Sequence, residues 1–194
     1  MQPHYTAMTS YQLDYSIRSR EPRFTRLAEA LAASHSCLDS QAKFNLFCRN
    51  AISLWSEHVN EKFALVQFQH YLAKAATSSP SSIPTSWGGV YILRHEHPEV
   101  EKFLVVKGGC YLAFEKHERK EEELLVKEGA GLLLYRKAGS AGVRVLPLCP
   151  DTSCAFLPGE EHCVVGCQEL LILEKSKDYK GMDKDLVFIF TPEG

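Results

Sequence analysis

From residue 87 onward the chain breaks into short apolar segments kept apart mostly by Gly, Pro or charged residues: VYILRHEH, KFLVVKG, CYLAFEK, ELLVKEG, GLLLYRK, VRVLPL, CAFLPG, HCVVG, ELLILEK and DLVFIF. Segments of this length, rich in β-branched and aromatic residues, read as strands. About eight to ten of them in so short a stretch imply an antiparallel sandwich or small barrel. The half before them has a different period. Phe24, Leu27 and Leu31 follow helical spacing after Pro22, and Phe44, Phe47, Ala51, Leu54 or Trp55, and His58 continue such a stripe after Asp39-Ser40, a suitable N-cap. Phe63, Val66, Gln67 and Tyr71 mark a further helix. Between the halves, TSSPSSIPTS at 77–86 reads as a linker. The expected organisation is an N-terminal helical region over 1–76, a linker over 77–86 and a β-barrel domain over 87–194, so the fold class is mainly β with a helical N-terminal portion.

Composition excludes several function classes. Lysine and arginine number 22 against 24 acidic residues, a net charge of −2. That balance argues against a surface built to neutralise nucleic-acid phosphates. No apolar run approaches the roughly 20 residues of a membrane span. The first 25 residues carry no apolar segment with a cleavage site, so no secretory signal is expected and the chain reads as cytoplasmic. Seven cysteines, an odd number in a chain able to bury a core, read as reduced, packed thiols. The mixed charges of EKHERKEEE at 115–123 read as a solvated hairpin loop, with His117 on the surface.

GVYILRHEHPEVEKFLVVKG, from Gly89 to Gly108, carries the chemistry in this reading. His95 and His97 stand two apart on a predicted strand and leave the same face, while Glu101 follows after Pro98, where the next strand brings its carboxylate back. Two imidazoles and a carboxylate leave open positions on an octahedral ion; these donors suit Fe(II) and also Mn, Ni, Cu or Zn. Tyr91 shares parity with the histidines and is the candidate proton donor.

The spacing resembles the first motif of the cupin superfamily, G(X)5HXH(X)3–4E(X)6G, at every fixed position: Gly89, His95, His97, Glu101 and Gly108. The second motif, G(X)5PXG(X)2H(X)3N, is kept less well. In FLPGEEHCVVG, Gly159 and His162 match and Pro158 stands one place late; in an alternative frame beginning at Gly131, Gly142 stands where the histidine should. The resemblance implies an antiparallel cupin (jelly-roll) β-barrel over residues 86–192, with one divalent transition metal, Fe(II) first, held by His95, His97, Glu101 and His162. It further implies a metal-dependent enzyme acting on a small polar or anionic metabolite, with a mononuclear non-haem iron dioxygenase as the leading expectation. The alternatives are a lyase or isomerase using the metal as a Lewis acid, or a non-catalytic cupin whose helices form an interaction region. The apolar helical stripe must be covered by the barrel, by other helices or by a second chain, so homodimerisation is left open.

Overall fold

The computed structural model describes residues 10–15, 22–77, 81–181 and 183–192. A short strand, β1 (Tyr11–Asp14), precedes a 3-10 turn at Pro22–Phe24, α1 (Thr25–Ser34), β2 (Cys37–Leu38), α2 (Gln41–His58) and α3 (Phe68–Ala75). The remainder is β3 (Ser82–Thr85), β4 (Gly88–Glu96), β5 (Glu99–Val106), β6 (Phe114–His117), β7 (Glu121–Gly129), β8 (Gly131–Arg136), β9 (Gly142–Leu148), β10 (Ser153–Phe156), β11 (Glu161–Val165), β12 (Leu170–Lys177) and β13 (Leu186–Phe190). Among the described residues these form two facing sheets, ordered β13-β6-β11-β8-β9-β1-β2 and β10-β7-β12-β5-β4-β3. Pairing is antiparallel except where β1 joins β9. The expected mainly β barrel is therefore the observed architecture. The expected boundaries are crossed by the sheets: β1 and β2, from the helical region, extend one, and Ser82–Thr85, inside the expected linker, pairs with β4.

Alternation within each strand sorts residues into an interior and two outer faces. Leu133 and Val164 face the interior with Leu104, Leu124, Val126 and Ile172 of the other sheet. Their neighbours Leu132, Leu134, Cys163 and Val165 face outward, where α1 and α2 cover them. Helix α2 begins where the sequence says it should, with Ser40 Oγ accepting from the Lys43 backbone N–H at 3.3 Å. Its buried stripe is Phe44, Phe47, Cys48, Ala51 and Trp55. The Phe44 ring lies 5.4 Å from that of Phe190 and 6.4 Å from that of Phe114, both on barrel strands. We expect Phe44→Ala to cost about 3–5 kcal/mol in urea unfolding. We likewise expect a chain beginning at Pro84 to be less soluble and less stable, since it lacks this layer.

Helix α3 covers the outer face of the other sheet. The Tyr71 ring stands 4.3 Å from that of Phe103 and 5.7 Å from that of Tyr91. The Glu128 carboxylate of β7 accepts from the Gln67 and Phe68 backbone N–H groups, so a sheet residue caps the helix. Gly89 allows the close approach, because a Cβ there would lie 2.8 Å from that of Ala75. No helix among the described residues is long and apolar enough to cross a membrane. All seven cysteines are free, as expected.

Candidate metal centre and its cavity

The inward face of the six-stranded sheet is built in rows set by register. Leu104, Ile172 and Val126 form an apolar row; Lys102, Glu174, Leu124 and Cys154 form the next; Val100, Ser176, Glu122 and Phe156 form the last. Facing them, Glu115 and His117 stand two apart on β6, and His162 of β11 is paired directly opposite Glu115. Between the sheets lies a cavity of about 380 Å³. Trp87, Val90, Leu104 and Leu112 give it apolar walls, and Lys102, Glu115, His117, Lys120, Glu122, His162, Glu174 and Asp183 reach it with polar groups.

The charges are matched inside. Lys102 Nζ lies 3.1 Å from Glu174 and 2.9 Å from Asp183; Lys120 Nζ lies 2.7 Å from each of the same two carboxylates. Burial pushes both lysines down, but Glu174, Asp183 and Glu122 more than reverse it and hold the ammoniums above their ordinary range. Burial likewise pushes Asp183 and Glu122 up, and is outweighed by the lysines at Asp183 and by Lys120, His162 and His117 at Glu122; both carboxyls stay below their ordinary range. Carboxylates with depressed pKa values stabilise the fold fully above their unfolded range, and that contribution is lost as they protonate in acid. The unfolding midpoint is therefore expected to fall as the pH drops from about 5 to about 3. A flat midpoint over that interval would mean that the network does not form.

Two imidazoles face one carboxylate oxygen. His162 Nε2 lies 3.3 Å and His117 Nε2 3.8 Å from Glu122 Oε2. Neither contact is an aligned hydrogen bond, and the oxygen is a buried acceptor without one. His117 is oriented from behind: its Nδ1 lies 2.9 Å from Asp185 Oδ1, while the other oxygen of Asp185 accepts the Arg119 and Lys120 backbone N–H groups. A carboxylate behind a histidine fixes the ring and leaves its second nitrogen facing inward, as metal-binding histidines require. His162 is 5% exposed, and its ring stacks on Phe156 at 4.2 Å. Burial lowers its pKa, but the Glu122 carboxylate raises it further and leaves it above the ordinary value. Glu115 has its pKa pushed up by burial to about 7, against the opposing pull of His162.

These donors fit a divalent transition metal in type, with two imidazoles, one unpartnered carboxylate oxygen and Glu115 beside them. Among the described residues no three His, Cys, Asp or Glu side chains are already drawn around one point. The Lys120 ammonium stands close by, 3.4 Å from His117 Nε2 and 3.5 Å from Glu122 Oε1.

Of the residues that the sequence singles out, His162 alone reaches this cavity. His95 and His97 are exposed at the end of the β4–β5 hairpin, beside Arg94 with its ion pairs to Glu96 and Glu99. Glu101 lies 3.8 Å from Lys175, outside the cavity. The expected quartet is thus not assembled. Tyr91 also departs from expectation: the register shifts between Ile92 and Arg94, so an even spacing across that point no longer means a shared face, and Tyr91 packs on Tyr71 outside the barrel. The expected solvated loop is corrected as well. Residues 114–117 and 121–129 are strands, and His117, Lys120 and Glu122 are among the most buried polar residues. A sequence signal for them exists. Gly109, five residues, Glu115, one residue, His117, four residues, Glu122, six residues and Gly129 repeat the first cupin spacing with Glu115 in the place of its first histidine.

Two facing sheets, almost wholly antiparallel, thus bring imidazoles and carboxylates to the rim of one cavity. No protein-family model matches the chain, and no curated protein is significantly similar to it. Solved structures similar in fold include the capsular polysaccharide assembling protein CapF of Staphylococcus aureus, at 15% identity and a TM-score of 0.48, over 55% of this chain and 33% of that one. Others are the oxalate decarboxylase of Bacillus subtilis, at 18% identity and 0.47, over 55% and 29%, and KdgF from Halomonas sp., at 19% identity and 0.40, over 46% and 79%. The chain therefore spans about a third of the length of the first two.

Proposed function

We propose that this chain is a cupin-type metalloenzyme whose divalent transition metal is held by His117, Glu122 and His162, with Glu115 as a further oxygen donor. The observation that carries the reading is the buried, unpartnered Glu122 Oε2 with an imidazole nitrogen facing it from each of two strands. When bound, the metal supplies a Lewis acid for a substrate carbonyl, carboxylate or enediolate oxygen.

The chain's own residues supply the rest. Trp87, Val90, Leu104 and Leu112 make walls that exclude water, which strengthens each charge inside. Asp185 orients the His117 ring through Nδ1 and leaves Nε2 facing Glu122 and Lys120. Lys102, paired to Glu174 and Asp183, and Glu115, opposite His162, present proton-carrying groups to an incoming oxygen, so the cavity suits a polar metabolite. Proton-carrying groups thus surround the donors. This favours a lyase or isomerase that moves a proton beside a metal-bound oxygen over the dioxygenase that the donor set also permits.

The test is elemental analysis of protein purified under reducing conditions, then two assays on small hydroxy and keto acids: deuterium exchange from solvent and oxygen uptake. Close to one metal per chain with solvent exchange supports the reading. Metal with oxygen uptake and no exchange points to the dioxygenase with Fe(II). An absence of site-dependent metal after reconstitution removes both.

A further inference from the structure

Lys120 is 2% exposed and occupies an unusual position for a lysine. Its Nζ lies among four groups: Glu174 Oε1 and Asp183 Oδ1 at 2.7 Å each, His117 Nε2 at 3.4 Å and Glu122 Oε1 at 3.5 Å. Two of these belong to the proposed donor set and two do not. Resting on the metal reading above, we propose that Lys120 is the resident cation of the metal-free site, that a divalent ion displaces its ammonium, and that Lys120 thereby sets the affinity of the centre.

Three observations carry this. First, an ammonium and a divalent ion held a few ångströms apart in a poorly screened interior repel strongly, so both cannot keep these partners. Second, the remaining carboxylates do not need Lys120. Lys102 Nζ contacts both Glu174 and Asp183, so each keeps an ion pair when Lys120 withdraws. Third, the backbone is anchored independently of the side chain. The Arg119 and Lys120 N–H groups are fixed on Asp185 Oδ2, whereas the Lys120 side chain borders the cavity of about 380 Å³. A rotamer change can therefore carry the ammonium away from His117 and Glu122 without moving the turn that holds His117.

The exchange replaces one positive charge with two, beside carboxylates that can take the second. While Lys120 is present it keeps the Glu122 carboxylate compensated, and an incoming ion must compete with it. A site that carries such a competitor binds its metal more weakly than its donors alone would. Lys120→Met and Lys120→Gln remove the competitor; Lys120→Arg keeps a positive charge that cannot be neutralised.

The experiment is titration of metal-stripped protein with Zn2+ and Mn2+ by calorimetry, for wild type and these three variants. Alongside it, an amine-acylating reagent is applied with and without Zn2+, and modification of Lys120 is read by peptide mass spectrometry. The expected result is a gain of at least tenfold in affinity for Lys120→Met and Lys120→Gln, none for Lys120→Arg, and Zn2+-dependent labelling of Lys120 while Lys102 stays protected. Should Lys120→Met fail to fold, Lys120→Gln and the labelling of wild type decide. If wild type binds metal, the charge-removing variants bind no more tightly and Lys120 stays protected, the inference falls and the metal centre stands. If neither wild type nor variants bind, both fall.

Discussion

Replacing His95 and His97 together with Ala is expected to leave the metal content of the purified protein unchanged, whereas His162→Ala or Glu122→Gln should lower metal affinity by well over tenfold. Losing a group that merely supports a ligand costs about 10- to 100-fold, and these two are proposed ligands. The contrast follows from where the chain places them. His95 and His97 are exposed on a hairpin whose strands both belong to one sheet, while His162 and Glu122 come from opposite sheets and face each other at 3.3 Å. Elemental analysis of dialysed protein with calorimetric titration measures both arms. Loss of metal from the His95/His97 double variant, with the His162 variant still loaded, would return the centre to the hairpin.

Glu174→Leu should be among the most destabilising single substitutions in the barrel. Glu174 is 2% exposed and receives both buried ammoniums, so its removal leaves Lys102 and Lys120 with too little negative charge to offset their desolvation. Breaking a buried pair by removing one partner costs about 3–5 kcal/mol. At roughly 2–4 °C per kcal/mol for a chain of this size, the midpoint should drop by about 6–20 °C. Lys102→Leu combined with Glu174→Leu should regain most of the loss, because their side chains are neighbours in register and an apolar pair of similar volume needs no compensation. A single variant as stable as wild type in a thermal melt would contradict the charge network described above.

Much of the fold was legible beforehand. The stripe Phe44, Phe47, Ala51 and Trp55 and the cap at Ser40 locate α2, because a helix repeats its face every three to four residues and its first turn needs an acceptor. The apolar segments after residue 86 locate the strands, and His162 lies buried on one of them. Tyr91 was not legible, since a bulge between Ile92 and Arg94 changes which face an alternating pattern reaches, and nothing in the residues marks it.

The residues around His95 and those around His117 both fit the motif's spacing of glycines, histidines and carboxylate, the second with a glutamate in the first histidine's place and one more residue before its carboxylate. Spacing along the chain determines which side chains share a strand face, and therefore that either stretch can present donors together. It does not determine which sheet the two strands of a hairpin join. The shifted register of β4 and β5 pairs Glu101 with Arg94 and His95 with Val100, so Glu101 and His95 fall on opposite faces at the exposed end of one hairpin, whereas β6 and β7 enter opposite sheets and direct Glu115, His117 and Glu122 toward the same cavity. That assignment depends on long-range pairing of β6 with β11 and of β7 with β12, which local residue order does not encode. The sequence by itself thus determined a barrel, its helical cover and a metal-type donor pattern; only the tertiary structure decided which copy of the pattern is buried.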